Sequence, residues 1–420
     1  MPSLREILDT VTLQSGFNTN AVIVAATLLG IAAGIIGAFA LLRKRSLTAD
    51  ALSHATLPGI TAAFLIASAL GYNARSLPIL LLGATISGIL GVALIHAILS
   101  YTRLREDAAI GIVLSVFFGI GVVLLSVIQS TATSSAAGLN HFIYGQTAAM
   151  LTNDAIIMGT IALIAIAIAL LVMKEITIVC FNESFAKVTG INAGFIDALI
   201  LALIVLVTVS GLQAVGLILI VAMLIIPPAA ARFWTDRVRM LVILSAVIGA
   251  LSGFLGSSVS ALLPRKPAGA VIVLCAGSIF ALSMLLAPKR GVIAQLVRQV
   301  RLRTRIAIDH LLESKYEYPE QHAKAEFALR ILLRAMRFTD SLSISSALTQ
   351  RGLERGRRVH RNHMLWEQYL ISCADIAPSH VDWSVDQVEH VLDDQLIQRL
   401  EREIRDSGLH LDHATSEVES

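Results

Sequence analysis

The sequence predicts an all-α protein: a polytopic membrane helix bundle of about nine spans, followed by a small helical cytoplasmic domain. The 420 residues are 55% hydrophobic and 15% charged, whereas about a quarter of the residues in a soluble domain are charged. The composition also changes abruptly after Pro288, from Ala, Ile, Leu, Val and Gly to Arg, Glu, Asp and His. A membrane part and a water-soluble part therefore follow each other along the chain.

Nine stretches are long and apolar enough, or nearly so, to cross a bilayer, which takes about 20 residues. They are about 20–42, 50–71, 77–100, 108–128, 153–173, 195–211, 213–231, 239–262 and 267–287. The sixth and seventh are short and adjoin at Gly211, where we expect a tight hairpin or an irregular pair. We predict domains over 1–288 and 322–405, a linker over 289–321 and a flexible tail over 406–420. Small residues at four-residue spacing, such as Gly30 and Gly34, favour close helix packing.

The basic residues of the loops predict the orientation. If the N-terminus lies outside, the cytoplasmic face receives Arg43, Lys44, Arg45, Arg103, Arg105, Lys174, Lys187, Arg232, Arg237, Arg239, Lys289 and Arg290. The outer face receives only Arg5, Arg75, Arg265 and Lys266. This positive-inside bias predicts a plasma or inner membrane protein with its C-terminal domain in the cytoplasm.

Two classes of site are excluded by simple patterns. The three cysteines are far apart and form no CxxC, so the sequence indicates neither a disulfide framework nor a thiolate zinc site. No GxxxxGK[ST] motif occurs, so the chain lacks the loop that cradles nucleotide phosphates.

Asp50 and His54 are the first candidates for a functional site. At positions i and i+4 they share one helical face, and a carboxylate within a membrane helix costs about 2.5–3.5 kcal/mol on insertion scales. Oxygen and imidazole ligands suit Mn(II), Fe(II) or Zn(II). Alternatively, Asp50 lies near the interface and pairs with one of the basic residues at 43–45, and His54 is a packing histidine.

Four segments resemble the permease subunits of manganese, zinc and iron ABC importers. They are RKRSLTADALSHATLPGITAAFLI (43–66), LREDAAIGIVLSVFFGIGVVLLS (104–126), FNESFAKVTGI (181–191) and GLQAVGLILIVAMLIIPPAAARFW (211–234). The resemblance covers about residues 10–288. It implies that Asp50 and His54 are ligands in the translocation path of a divalent metal.

The same resemblance implies partners: a separate ABC ATPase, an extracytoplasmic metal-binding protein, and a second permease in a homodimer or heterodimer. The segment that resembles the ATPase-docking region supplies the candidate coupling residues Phe181, Asn182, Glu183, Phe185, Ala186 and Gly190. A short amphipathic helix with aromatic side chains suits a groove on a partner. The alternative is a helix that lies on the membrane surface.

The C-terminal part predicts helices at about 322–338, 352–372 and 384–405. Two sets of oxygen and imidazole side chains lie on the last two helices: His363 with Glu367, and Asp386 with Glu389 and His390. Such groups can hold Mn(II) or Fe(II). The alternative is the ordinary charged face of a surface helix.

RRVHRNHMLWEQYL (357–370) and VEHVLDDQLIQRLE (388–401) resemble the metal-binding and dimerisation region of the diphtheria toxin repressor family. The resemblance implies that His363 and Glu367 belong to one metal site and Asp386, Glu389 and His390 to another. Asp386 departs from the family, which places Cys or Glu there. About fourteen residues precede Leu353 after Phe338, too few for a recognition helix and a wing, so DNA binding is not expected.

These observations predict the membrane permease of an ATP-driven importer of manganese, zinc or iron, with a tail that senses cytoplasmic metal or only supports dimerisation. We expect no tightly bound cofactor in the membrane domain and no enzymatic activity; the metal is substrate and, in the tail, regulatory ligand. The rival hypothesis is a secondary transporter driven by protons or sodium. Dependence on a partner ATPase distinguishes the two.

Overall fold

The computed structural model describes residues 3–43, 46–72, 76–131, 150–211, 216–263, 268–317, 338, 348–372, 397–399 and 402. The chain divides into two compact units, Met1–Ala294 and Gln295–Ser420. The regular elements in the described ranges are α-helices, which confirms the predicted all-α class.

Fourteen helices are described. They are α1 (Leu4–Val11), α2 (Phe17–Leu42), α3 (Ser46–Ala69), α4 (Leu77–Tyr101), α5 (Glu106–Thr131), α6 (Thr152–Leu171), α7 (Met173–Phe181), α8 (Glu183–Val188), α9 (Ala193–Gly211), α10 (Leu217–Arg232), α11 (Val238–Leu262), α12 (Ala268–Leu286), α13 (Val292–Glu317) and α14 (Gln350–Ser372).

Eight of the described helices are long and apolar enough to cross a membrane: α2 to α6, α9, α11 and α12. The ninth predicted span corresponds to α10, an apolar helix of 16 residues with Pro227 and Pro228 inside it. It begins at Leu217, four residues later than predicted. Three described helices were not predicted: α1, α7 and α13. Of these, α1 is short and begins with a capping box between Ser3 and Glu6.

Helix α2 lies at the centre of the first unit. It is buried along most of its length and packs mainly against α11, α6 and α10. Its contact with α11 is backbone on backbone, because a Cβ atom added to Gly30 or Gly249 would collide with the carbonyl oxygen of the other glycine. The predicted packing of small residues therefore holds here. Gly111 and Gly119 on α5 also follow the four-residue spacing, with Ser115 between them, but a Cβ added to either would meet no described atom within 4 Å.

Helix α3, which carries Asp50 and His54, packs mainly against α4 and α5. The Ser87 hydroxyl of α4 donates a hydrogen bond of 2.6 Å to the Ala55 carbonyl oxygen of α3. Gly59 and Gly83 approach so closely that a Cβ on either would collide with the other backbone. Contacts with α4 directly after His54, at Ala55, and about one turn later, at Gly59, therefore fix the position of the Asp50–His54 face.

In the second unit, α14 packs on the C-terminal half of α13. Arg355 donates two hydrogen bonds to the Asp309 carboxylate, at 3.0 and 2.9 Å, next to a small core that contains Ile308 and Leu312. The stretch interpreted as a linker, 289–321, thus contains a long helix. The predicted helix at 352–372 coincides with α14, whereas those at 322–338 and 384–405 lie almost wholly outside the described residues.

Candidate metal path and coupling surface

Asp50 and His54 lie one turn apart on α3, as the spacing predicts. Asp50 Oδ1 is 3.5 Å from His54 Nε2, and the two side chains are 38% and 19% exposed. That distance is too long for a strong hydrogen bond, so the two polar atoms face each other without being locked together. A cation could therefore enter between a carboxylate oxygen and an imidazole nitrogen.

The surroundings of His54 hold its ring in place. The edge of the ring meets the Phe118 ring of α5, with centroids 5.0 Å apart and planes at 84°. Its Nδ1 atom is buried and has no hydrogen-bond partner among the described residues. Pro58 lies four residues later inside α3 and has no N–H to donate to the His54 carbonyl oxygen. The imidazole of His54 thus has a buried nitrogen without a described partner, inside a helix bundle that is mostly apolar.

The alternative interpretation of Asp50, an ion pair with a nearby basic residue, is not supported at Arg43. The Arg43 guanidinium is bound by Asp197 of α9. Lys44 and Arg45 lie outside the described residues. Neither Arg43 nor Asp197 was singled out as a site residue, because the two are 154 positions apart and no local pattern links them.

The candidate coupling segment forms a helix–turn that exposes apolar side chains. Asn182 caps α8 by accepting a hydrogen bond of 2.9 Å from the Phe185 N–H. Phe181, Phe185 and Val188 are exposed, and Ala186 is buried. Three exposed apolar side chains around one short helix form a contiguous surface patch.

Gly190 ends the coupling segment for a backbone reason. Its φ is 81°. The Gly190 N–H donates a hydrogen bond of 3.2 Å to the Lys187 carbonyl oxygen, and the Ile191 N–H donates one of 2.9 Å to the Ala186 carbonyl oxygen. This is the Schellman arrangement that closes a helix, and it favours glycine at the left-handed position. The turn leads directly into α9.

In the second unit, His363 lies on α14 beside a buried carboxylate of α13. Glu313 is 8% exposed, and its Oε1 is 3.5 Å from Nδ1 of both His360 and His363. The Glu367 side chain and the whole of Asp386, Glu389 and His390 lie outside the described residues. Within the part that is described, no set of three or more His, Cys, Asp or Glu side chains is arranged to hold a metal ion.

Eight described helices of this length and composition indicate a multi-pass membrane protein. Residues 16–287 match the ABC 3 transport family, and residues 349–407 match the iron dependent repressor, metal binding and dimerisation domain. The first match covers more than half of the chain, which therefore belongs to the ABC 3 transport family. Both predicted resemblances are confirmed.

Three similar proteins extend the comparison. The manganese transport system membrane protein MntC of Bacillus subtilis is 35% identical over 380 residues, covering 86% of each chain. The zinc transport system membrane protein TroC of Treponema pallidum is 40% identical over 302 residues, covering 72% of this chain and 98% of that one. The structure of PsaBC from Streptococcus pneumoniae in complex with Fab has a TM-score of 0.59 at 32% identity, covering 69% of this chain and 98% of that one. The likeness to the Bacillus protein reaches into the second unit, since the first ends at Ala294.

Proposed function

We propose that this chain is the membrane permease of an ATP-driven importer of a divalent transition metal, and that Asp50 and His54 contact the ion in its path. The observation that carries this proposal is the oxygen–imidazole pair on one face of α3, 3.5 Å apart inside an apolar bundle. A carboxylate within a membrane helix is costly unless it has a task. Relatives named as manganese and zinc transport proteins are consistent with that task.

The chemistry of the pair favours a weakly held ion. One carboxylate oxygen and one imidazole nitrogen suit Mn(II), Fe(II) or Zn(II), and no thiolate is present to select softer ions. Two ligands do not complete the shell of any of these ions. A second permease copy, another helix or water would supply the rest, and an incomplete protein shell lets the ion leave. The permease dimer is therefore part of the proposal.

The energy comes from a separate ATPase. The chain is a transport subunit and not an enzyme, and its sequence contains no phosphate-binding loop. The exposed apolar side chains of Phe181, Phe185 and Val188 suit a groove on that partner. An extracytoplasmic metal-binding protein would deliver the ion to the opposite face. This orientation rests on the positive-inside bias of the loops, with the N-terminus outside and the second unit in the cytoplasm.

We also propose that the second unit senses cytoplasmic metal through His363 and Glu367, and through Asp386, Glu389 and His390. Histidines that bind metals commonly donate their other ring N–H to a carboxylate, which orients the ring. Glu313 is the group we propose for that role, because it is buried and one of its carboxylate oxygens lies 3.5 Å from His363 Nδ1. Metal binding would change transport only if the two transport states bound the metal differently.

Uptake of radioactive manganese tests the site. Cells would express the chain with its ATPase and binding protein, and uptake would be measured for wild type, Asp50→Ala and His54→Ala at matched membrane levels. His96→Ala is the matched control, because His96 is an exposed histidine on α4. We expect both site variants to lose uptake and the control to keep it. Wild-type uptake by both site variants would contradict the site assignment.

Omission of the ATPase tests the energy source. We expect uptake to disappear when the ATPase is absent, because membership of the ABC 3 family implies coupling to ATP. Persistent uptake that follows the proton or sodium gradient would instead support the secondary transporter.

A further inference from the structure

Arg43 lies where the central helix ends and the chain turns toward α3. It caps the C-terminus of α2, and only two residues separate it from Ser46, the first residue of α3. Its side chain is 14% exposed, and that of Asp197 is 17% exposed. A guanidinium that is largely withdrawn from solvent needs specific partners.

Those partners come from three other elements. Arg43 Nε donates to Asp197 Oδ1 of α9 at 2.8 Å, and Nη2 donates to Oδ2 of the same carboxylate. Nη1 donates to the Val179 carbonyl oxygen of α7 at 3.2 Å. Nη2 is also 3.9 Å from the carboxylate of Glu183, the first residue of α8. The Arg43 side chain thus connects the end of α2 to three helices: α7 and α8, which meet at Asn182, and the membrane helix α9.

The pKa of Arg43 indicates that its positive charge is stabilised by its neighbours. Burial alone would lower the pKa of Arg43, but the hydrogen bonds and charge of Asp197 outweigh it and raise the pKa above its ordinary value. The bidentate geometry is specific to arginine, because the planar fork matches a carboxylate and lysine offers only a point charge. A rigid fork transmits a displacement better than a single flexible contact.

On the basis of the proposed function, we propose that Arg43 is a positioning residue that couples the ATPase-docking segment to the metal path. When α8 moves with the ATPase, the contacts to Val179, Glu183 and Asp197 carry the displacement to the end of α2. The short connection to α3 then shifts Asp50 and His54, which lie within the first turns of that helix. Arg43 touches neither the ion nor the nucleotide in this account.

The test uses the complete transporter, reconstituted in proteoliposomes with its ATPase and binding protein. ATP hydrolysis, ATPase binding and manganese uptake are measured on the same preparation. For Arg43→Gln we expect the ATPase to remain bound and to hydrolyse ATP, while metal uptake per ATP falls about tenfold, within the usual range of coupling between sites. Arg43→Lys should recover part of the loss, because it keeps the charge without the fork.

A double-mutant cycle separates coupling from general damage. If Arg43 and Asp197 act as a unit, metal uptake per ATP in the double variant Arg43→Gln/Asp197→Asn should be no lower than in either single variant. Arg290→Gln is the matched control, since it breaks the exposed ion pair of Arg290 with Asp236 at the same predicted face of the bundle. We expect it to leave uptake per ATP unchanged.

Two results would overturn the inference. One is an Arg43→Gln transporter with wild-type uptake per ATP. The other is loss of ATPase binding by that variant, because Arg43 would then only maintain the docking surface. Failure of the proposed function itself looks different: wild type would transport no metal, or Asp50→Ala and His54→Ala would transport normally.

Discussion

The two proposed metal sites are built in different ways. In the membrane bundle, Asp50 and His54 belong to a single helix and face each other across one turn. In the second unit, the candidate ligand His363 lies on α14 and the Glu313 carboxylate beside it lies on α13, so the ligand and its proposed orienting group are on two helices. The two candidate ligands of the membrane site thus share one helix, whereas the geometry around His363 depends on how two helices pack.

This difference suits a path and a sensor, respectively. A transport site must bind and release the ion in every cycle, and an incomplete ligand set on one helix favours that. A regulatory site gains from ligands and orienting groups on separate helices, because metal binding then stabilises one packing of the unit. The comparison predicts that damage to the membrane unit abolishes transport and that damage to the second unit changes only its regulation.

The largest effect is expected at the coupling segment, because the membrane site should be useless without the ATPase. In Phe185→Asp, an exposed aromatic anchor becomes a charge, which should weaken ATPase binding by at least about 2 kcal/mol, as for an interface hot spot. The loss of ATPase binding is measured by co-purification of the ATPase with the permease.

Phe17→Asp is the control, since Phe17 is an exposed phenylalanine at the other end of the bundle. Equal loss of the ATPase in both variants would mean that α8 is not the docking surface.

The packing of the bundle gives the next effect. Gly249→Ala places a Cβ against the Gly30 carbonyl oxygen, and the resulting overpacking should destabilise the bundle by about 1–3 kcal/mol. Thermal unfolding in detergent measures it. Gly111→Ala should be neutral, because no described atom lies within 4 Å of the added Cβ. If the two variants unfold at the same temperature, the close α2–α11 contact is wrong.

A change confined to regulation is expected in the second unit. In the proposed sensing site, Glu313→Gln removes the carboxylate beside His363. The cytoplasmic metal concentration that alters uptake should therefore rise about tenfold, as for other groups that support metal ligands. Basal uptake should stay the same. Uptake measured against cytoplasmic metal concentration provides the test.

The exposed Glu354 on α14, the helix that carries His363, supplies the control, Glu354→Gln. An unchanged response to metal in Glu313→Gln would remove Glu313 from the sensing site.

The smallest effect concerns a thiol beside Arg43. Burial raises the pKa of Cys180 from about 9 to about 11, while the positive charge of Arg43 opposes the shift. Only the thiolate reacts with maleimides, so labelling in a Cys275→Ser/Cys373→Ser background should be slow at pH 8 and rise until about pH 11. Arg43→Gln should slow it further. Faster labelling in that variant would indicate that the cluster has opened.

The sequence predicted what depends on local patterns. The spans follow from runs of apolar residues, and the Asp50–His54 face follows from i, i+4 spacing. The ends of α10 were less certain because its apolar stretch is short. The Arg43–Asp197 and Glu313–His363 contacts join residues that are distant in the sequence, so no local sequence pattern predicts them. Gly190 was taken from a resemblance, and the structure supplies its physical reason, a left-handed helix end.

The central claim is that Asp50 and His54 touch the transported ion, and a change of ligand softness tests it most directly. His54→Cys replaces an imidazole by a thiolate, which favours softer ions such as Cd(II) over Mn(II). Competitive uptake of the two ions by the reconstituted transporter would be compared with that of His96→Cys. The account predicts a higher cadmium-to-manganese ratio for His54→Cys alone. An unchanged ratio in a variant that still transports would contradict it, because a purely structural histidine would leave selectivity as it was.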